Sequence, residues 1–367
     1  MKYIYSIFLI IFLFLSTITV AGQSSEPLKI GVIGLSHSHV NWLWNRPHLK
    51  DVEIVGIVEP NKELAKRFSD SKGFSMNLVY NSMEELIAEK KPEAVTAFGS
   101  IYEHLEVVEF FAPLGIHVMV EKPLAVSLAH AQKMKALAEK YKIHLLTNYE
   151  TTWYPTNHKI YDMVKNKSIG PLRKIVVHDG HEGPQEIGVN KEFLEWLTDP
   201  KLNGGGALMD FGCYGANLIT WLMKGERPLS VTAVTQTIKP EIYPKVDDEA
   251  TIIVTYPKMQ GIIQASWNWP MGRKDMEVYG KYGYMISEDR HNLRYRLNRN
   301  DKEQHEVLEE RPSPFADPFS VLAAVIRKTI VLPEDNLYSL ENNIVAMEIL
   351  DAALKSARSG ETIFIKH

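Results

Sequence analysis

Leu28-Lys29-Ile30-Gly31-Val32-Ile33-Gly34-Leu35-Ser36-His37-Ser38-His39 decides how this chain is read. An apolar run ends at a glycine and gives way to short polar residues, which is the pattern of a strand feeding a tight turn. A dinucleotide-binding turn carries glycine at the three positions held here by Gly34, Ser36 and His39. The first glycine permits the turn, the second lets the backbone approach a pyrophosphate, and the third lets helix and strand pack closely. Only the first is kept. Ser36 still offers a backbone N–H and adds a hydroxyl for phosphate, His37 lies in the same cradle, and His39 would push the next helix outward. Taken alone, the segment fits a modified phosphate cradle at a helix N-terminus and a plain strand-to-helix turn equally well.

The rhythm that follows favours the cradle. Apolar runs at Val52–Val58, Ala94–Phe98, His117–Val120 and His144–Thr147 alternate with helix-like stretches near Lys62–Ser71, Met83–Glu89, Glu103–Leu114 and Leu128–Lys140. Ser82 with Glu85 forms a capping box, and Ser127 is a second N-cap. Strands alternating with helices predict βαβ units and a parallel sheet. Glu59 ends the second run, 25 residues after Gly34. A carboxylate there accepts bonds from both ribose hydroxyls and repels a 2′-phosphate, which favours NAD over NADP. Gly99, Ser100 and His104 follow the next strand and are expected on the same cofactor wall.

After about Asn148 the rhythm changes. A helix near Thr156–Lys165 precedes strand-like runs at Leu172–His178, Ser230–Ile238, Ala250–Tyr256, Gly261–Trp267, Asp275–Gly280 and Leu293–Leu297. Further helices are predicted at Gly212–Met223, Asp317–Thr329 and Ser339–Ser359. Short connections predict antiparallel neighbours. The expected fold is α/β: an N-terminal Rossmann domain over 28–148, and an α+β domain over 149–367 with a mainly antiparallel open sheet.

Residues 1–21 stand apart. Lys2 precedes an apolar run from Tyr3 to Val20, and Thr19-Val20-Ala21 resembles a cleavage site. This reads as a secretory signal peptide, with an uncleaved membrane anchor as the alternative, so the body is expected in the periplasm or another extracytoplasmic space. Cys213 is the only cysteine, so no internal disulfide forms. The net charge of −4, without a basic block, argues against nucleic acid and for a small polar substrate.

Two further motifs carry chemistry. Glu121-Lys122-Pro123 follows the strand His117–Val120, at the end of the sheet where ligands bind in open α/β folds. A lysine there can hold a substrate hydroxyl; a solvated Glu-Lys pair is the plainer alternative. Gly204-Gly205-Gly206-Ala207-Leu208-Met209-Asp210-Phe211-Gly212-Cys213-Tyr214 frees backbone for close approach and sets Asp210 and Tyr214 four apart. A phenol beside a lysine ammonium is expected to have its pKa lowered, which suits it to take the proton of a carbinol while hydride leaves the carbon. An Asp N-cap and a core tyrosine are the plainer alternative.

Together these motifs resemble the glucose–fructose oxidoreductase, inositol dehydrogenase and rhizopine-catabolism superfamily (Gfo/Idh/MocA). The likeness runs from about Leu28 to the end. Its most specific part is Glu121-Lys122-Pro123, followed about 80 residues later by the glycine-rich Asp210–Tyr214 stretch. His104 and Gly115-x-His117-Val118 fit the same run. The resemblance implies a Rossmann domain with a sheet covering the nicotinamide, Lys122 as the catalytic lysine, Pro123 as a proline that is often cis, and Glu121 near the nicotinamide ribose. It also implies Asp210 as the substrate-orienting acid and homo-oligomers. Tyr214 falls where many members carry histidine, and matches the glucose–fructose oxidoreductase-like branch with tyrosine there. Ser36 and His39 depart from the family pattern.

On this reading Lys122, Asp210 and Tyr214 are catalytic, and Tyr149, Trp153, His178 and His181 join them around the substrate. His178-Asp179-Gly180-His181-Glu182 is read as a pocket rim and not as a metal site. The expected activity is hydride transfer between NAD and a sugar or polyol. Export makes free NAD scarce, so a tightly bound cofactor is expected. Two alternatives stay open: a glycoside hydrolase working by transient sugar oxidation, and a non-catalytic sugar-binding regulator of the same fold.

Overall fold

A computed structural model describes residues 26–46 and 50–366. The signal segment at residues 1–21 lies outside the described residues. No helix among those described is long and apolar enough to cross a membrane.

Six strands form the first sheet: β1 (Leu28–Ile33), β2 (Val52–Val58), β3 (Val79–Tyr80), β4 (Ala94–Ala97), β5 (His117–Glu121) and β6 (Leu145–Asn148). Their order is β3-β2-β1-β4-β5-β6 and every pair is parallel. β1, β4 and β5 are buried on both faces, so they read as continuous apolar runs. β3, with only two residues, is too short to show a period and has no counterpart in the sequence reading. The strand order reverses between β1 and β4, which opens a crevice at their carboxyl ends.

The second sheet has nine strands: β7 (Leu172–Gly180), β8 (Ser230–Gln236), β9 (Glu249–Thr255), β10 (Gln260–Ser266), β11 (Arg273–Gly280), β12 (Tyr284–Ser287), β13 (Asn292–Arg296), β14 (Gln304–Val307) and β15 (Ile363–Phe364). Their order is β14-β13-β12-β11-β7-β10-β9-β8-β15. β7 and β10 pair in parallel, and the other pairs are antiparallel. The parallel pair departs from the short-connection rule because β7 is followed by a long excursion, residues 181–229, before the sheet resumes. That excursion carries the unpredicted helix Lys191–Leu197 and the helix Gly212–Leu222.

Every residue of Gly212–Leu222 is buried. Gly215 lets it lie close on the sheet: a Cβ there would come within 2.5 Å of Ile263. The long helix Leu340–Ser359, started by a Ser339 cap and ended at Gly360 with φ +73, packs on this helix and on β8. The opposite face of the sheet bears a half-buried row of Val176, Ile262, Ile253 and Thr232, one from each neighbouring strand. Tyr214 lies on the covered side, where the sheet meets the first domain.

Candidate active site

Gly34 ends β1 with φ +79, and a Cβ there would lie 2.7 Å from the backbone nitrogen of Gly99. Both facts demand glycine. The bare backbone opens onto a cavity of about 390 Å³ lined by Gly34, Ser36, Glu59, Asn61, Gly99 and Glu192 among others. Glu59 is buried at the end of β2 and accepts the backbone N–H of Leu35 and of Asn61, each at 2.9 Å. Burial raises its pKa, and the bonds from Asn61 and Leu35 offset this only in part. Ser100 is tied to Glu103, which accepts both its N–H and its hydroxyl. His104 also borders the cavity. Its Nδ1 lies 3.2 Å from the carbonyl of Leu124, which steadies the segment after Lys122-Pro123, a cis peptide.

The altered glycine positions behave differently from the sequence expectation. The hydroxyl of Ser36 accepts from Trp196 Nε1 at 3.0 Å and donates to the carbonyl of Phe98 at 3.4 Å. Its carbonyl accepts from Asn190 at 3.1 Å. The group expected to meet phosphate is therefore bonded to the second domain. No long helix starts here; a 3-10 turn, Ser38–Val40, leads into the five-residue helix Asn41–Asn45. His39 reaches sideways to Glu121, 2.7 Å away, and stacks on Trp42. It therefore does not wedge between helix and strand. His37 is buried against Phe193 and Trp196 and accepts the His39 N–H, so it packs the domain boundary and does not line the cavity. Burial lowers the pKa of both imidazoles, which keeps them neutral.

The catalytic candidates meet at the other end of this crevice. Lys122 donates to the Asp210 carboxylate in a short, buried ion pair and to the Asp210 carbonyl at 2.9 Å. The second Asp210 oxygen accepts from Trp267 Nε1 at 3.0 Å. Burial opposes both charges, yet their attraction wins: the Lys122 pKa is raised and that of Asp210 lowered. The helix Ala207–Asp210 stops at Phe211 and restarts at Gly212, so Asp210 and Tyr214 lie on two short helices and not on one face of a single helix. The Lys122 ammonium still lies 5.1 Å from the centre of the Tyr214 ring. Tyr149 packs edge-on to that ring at 5.4 Å.

A second lysine shares the tyrosine. Lys274 on β11 holds its ammonium 4.8 Å from the ring centre and forms a short ion pair with Glu150, just after β6. Two cations thus flank the phenol, but its pKa is raised well above the ordinary value, because burial and then the Glu150 and Asp179 carboxylates outweigh them. The expected acidic phenol is corrected to a neutral one. Glu121, expected at the nicotinamide ribose, is buried, bonded to His39 and accepting from Asn148 at 2.6 Å.

His181 packs edge-on to Phe211 on the Asp210 side. His178 does not join the site. Adjacent strand residues point to opposite faces, and His178 pairs at 2.9 Å with Asp275 on the face away from Lys274. Trp153 is likewise diverted, built into the core edge-on to Trp42. Sequence reasoning missed Lys274, Glu150 and Asp179. The only signal for Asp179 was its place at the strand end read as a pocket rim.

Residues 28–149 match the model of an oxidoreductase family with an NAD-binding Rossmann fold, and residues 157–286 match the GFO/IDH/MocA C-terminal domain. Among curated proteins, the trans-1,2-dihydrobenzene-1,2-diol dehydrogenase of Xenopus tropicalis is 32% identical over 185 residues, covering 50% of this chain and 52% of the relative. That of Xenopus laevis is 30% identical over 222 residues, covering 59% and 61%. The chain thus spans between half and two thirds of these relatives' length. Two solved structures share the fold. An aldose-aldose oxidoreductase from Caulobacter crescentus complexed with glycerol has TM-score 0.77 and 22% identity, over 93% of this chain and all of that one. An inositol dehydrogenase homolog from Azotobacter vinelandii complexed with NAD+ has TM-score 0.80 and 16% identity, over 93% and 98%.

Proposed function

The chain belongs to the Gfo/Idh/MocA oxidoreductases, and from that premise we propose that it moves hydride between a retained NAD and a carbinol of a sugar or polyol, outside the cytoplasm. The observation that carries this reading is the meeting of Lys122 from the first domain with Asp210 and Tyr214 from the second in one buried cluster.

The residues present fit a dinucleotide. Gly34 and Gly99 give bare backbone, and Glu59 places a carboxylate where a ribose diol would bind and a 2′-phosphate would be repelled. Arg67 holds Glu192 through two contacts of 2.8 Å, tying the helix after β2 to the helix Lys191–Leu197 beside the cavity. Such a tie supports slow cofactor release.

NAD, when bound, accepts or returns the hydride. The chain handles the proton. In the reductive direction the neutral Tyr214 phenol gives its proton to the carbonyl oxygen and becomes a phenolate, whose ring centre lies 5.1 Å from the Lys122 ammonium and 4.8 Å from that of Lys274. Oxidation runs the same transfer backwards. Asp210 holds Lys122 in place.

The test expresses the full chain and recovers the protein from the extracytoplasmic fraction. Denaturation should release about one NAD per chain. Tyr214→Phe should cut turnover by roughly 10²–10⁴ with the same NAD content. A chain that takes up no NAD overturns the enzyme, and a phenylalanine variant as active as the parent overturns the proton role of Tyr214. Recovery from the cytoplasm with Met1 intact overturns export.

A further inference from the structure

Asp179 is the odd carboxylate of the cluster. It sits near the end of β7, directly across from Lys274 on β11, and shares its face of the sheet. Lys274, its natural partner, is taken by Glu150. Lys122 is taken by Asp210. Two lysines thus serve two other acids. Asp179 is 1% exposed and neither of its oxygens has a partner among the described residues. A buried carboxyl without donors is costly, and it persists where something outside the chain supplies them.

We propose that Asp179, with Lys274 and Glu150 beside it, binds the hydroxyls next to the reacting carbinol, so that the pocket selects a polyhydroxylated substrate. This rests on the oxidoreductase reading above. The carboxyl group accepts from ligand O–H groups, and the Lys274 ammonium donates to a ligand oxygen while Glu150 keeps it oriented. Burial raises the Asp179 pKa, so its protonated form can also donate. A dihydrobenzene diol, the substrate that the curated relatives' names state, carries apolar ring carbons beyond its two hydroxyls. Placed here, its one neighbouring hydroxyl would serve one Asp179 oxygen, and the apolar carbons would leave the other unsatisfied. The difference therefore predicts a preference for fully hydroxylated rings.

The test titrates NAD-loaded full-length protein, by calorimetry, with myo-inositol, D-glucose, methyl α-D-glucoside and trans-cyclohexane-1,2-diol. At least one of the first three should bind tenfold or more tighter than the cyclohexanediol. Asp179→Leu should erase that margin, because it weakens the polyols far more than the cyclohexanediol with its single neighbouring hydroxyl. Asp179→Asn, which keeps a donor and an acceptor, should retain part of it. Both variants should keep their NAD, and without substrate Asp179→Leu should melt a few degrees higher than the parent, since the unpartnered polar group is gone. Preference for cyclohexanediol, absence of binding by every polyol, or an undiminished margin in Asp179→Leu overturns the proposal. The oxidoreductase reading fails separately, through a chain that takes up no NAD.

Discussion

The two ends of the crevice are built by opposite means. Around Gly34 the wall joins bare backbone at Gly34 and Gly99 to side chains that include Glu59, Glu84, Glu103, Glu106 and Glu192, and nearly all of it comes from the chain between Ile33 and Val107. Around Tyr214 the wall is charged side chains drawn from distant segments: Lys122, Glu150, Asp179, Asp210 and Lys274. In the first region the bare backbone of Gly34 and Gly99 leaves room for a ligand's phosphates to approach. The second concentrates charge away from water, where each interaction is stronger and each unpaired group more costly. One consequence is that mutations at the first end should act on cofactor binding, and those at the second on chemistry and folding together.

Lys122→Met should show the largest effect. It leaves Asp210 buried with Trp267 as its remaining side-chain donor. Losing one partner of a buried pair costs about 3–5 kcal/mol, a fall in melting temperature of roughly 10 °C, alongside loss of turnover. Adding Asp210→Asn should recover much of the stability and none of the activity. Full stability in the single variant would mean that the cluster is wetter than described. Gly34→Ala comes next. The added methyl meets Gly99, and the positive φ is strained, for a cost of about 1–3 kcal/mol. NAD content should fall sharply, while turnover at saturating NAD stays near that of the parent. A variant that keeps its NAD but turns over slowly would break the division between the two ends. Arg67→Ala should have the smallest effect. The pair is half exposed on the arginine side, so its loss should speed NAD release only a few-fold, less so at high salt. Stopped-flow displacement of NAD checks this, and an unchanged rate removes the tie from the account of retention.

Much of the first end was legible in sequence. β1, β4 and β5 are doubly buried, so their apolar runs announce a parallel sheet, and Gly34 marks its turn. β3, β12, β14 and β15 were not legible: β3 and β15 are two residues long, β12 four, and β14, Gln304–Val307, is mostly polar. At the second end Lys122 and Asp210 were marked by their neighbours, a proline and a run of glycines. Lys274 was hidden in Arg273-Lys274-Asp275 and Glu150 beside Tyr149, where charged residues look like any solvated surface. His178 and Asp179 show the limit most sharply. They are adjacent in sequence and both polar, yet the pleat sends one to the far face with Asp275 and the other to the tyrosine.

From its sequence this chain could be read as a Rossmann domain joined to a largely antiparallel sheet, with a lysine, an aspartate and a tyrosine as candidates for proton chemistry. Those features are local: strand period, turn glycines and short motifs are properties of neighbouring residues. Only the tertiary structure decided that Tyr214 stays a neutral phenol, that a second lysine stands beside it, and that Asp179 is left without a partner. Charge interactions and desolvation act through space, and residues far apart in the chain meet only once it has folded.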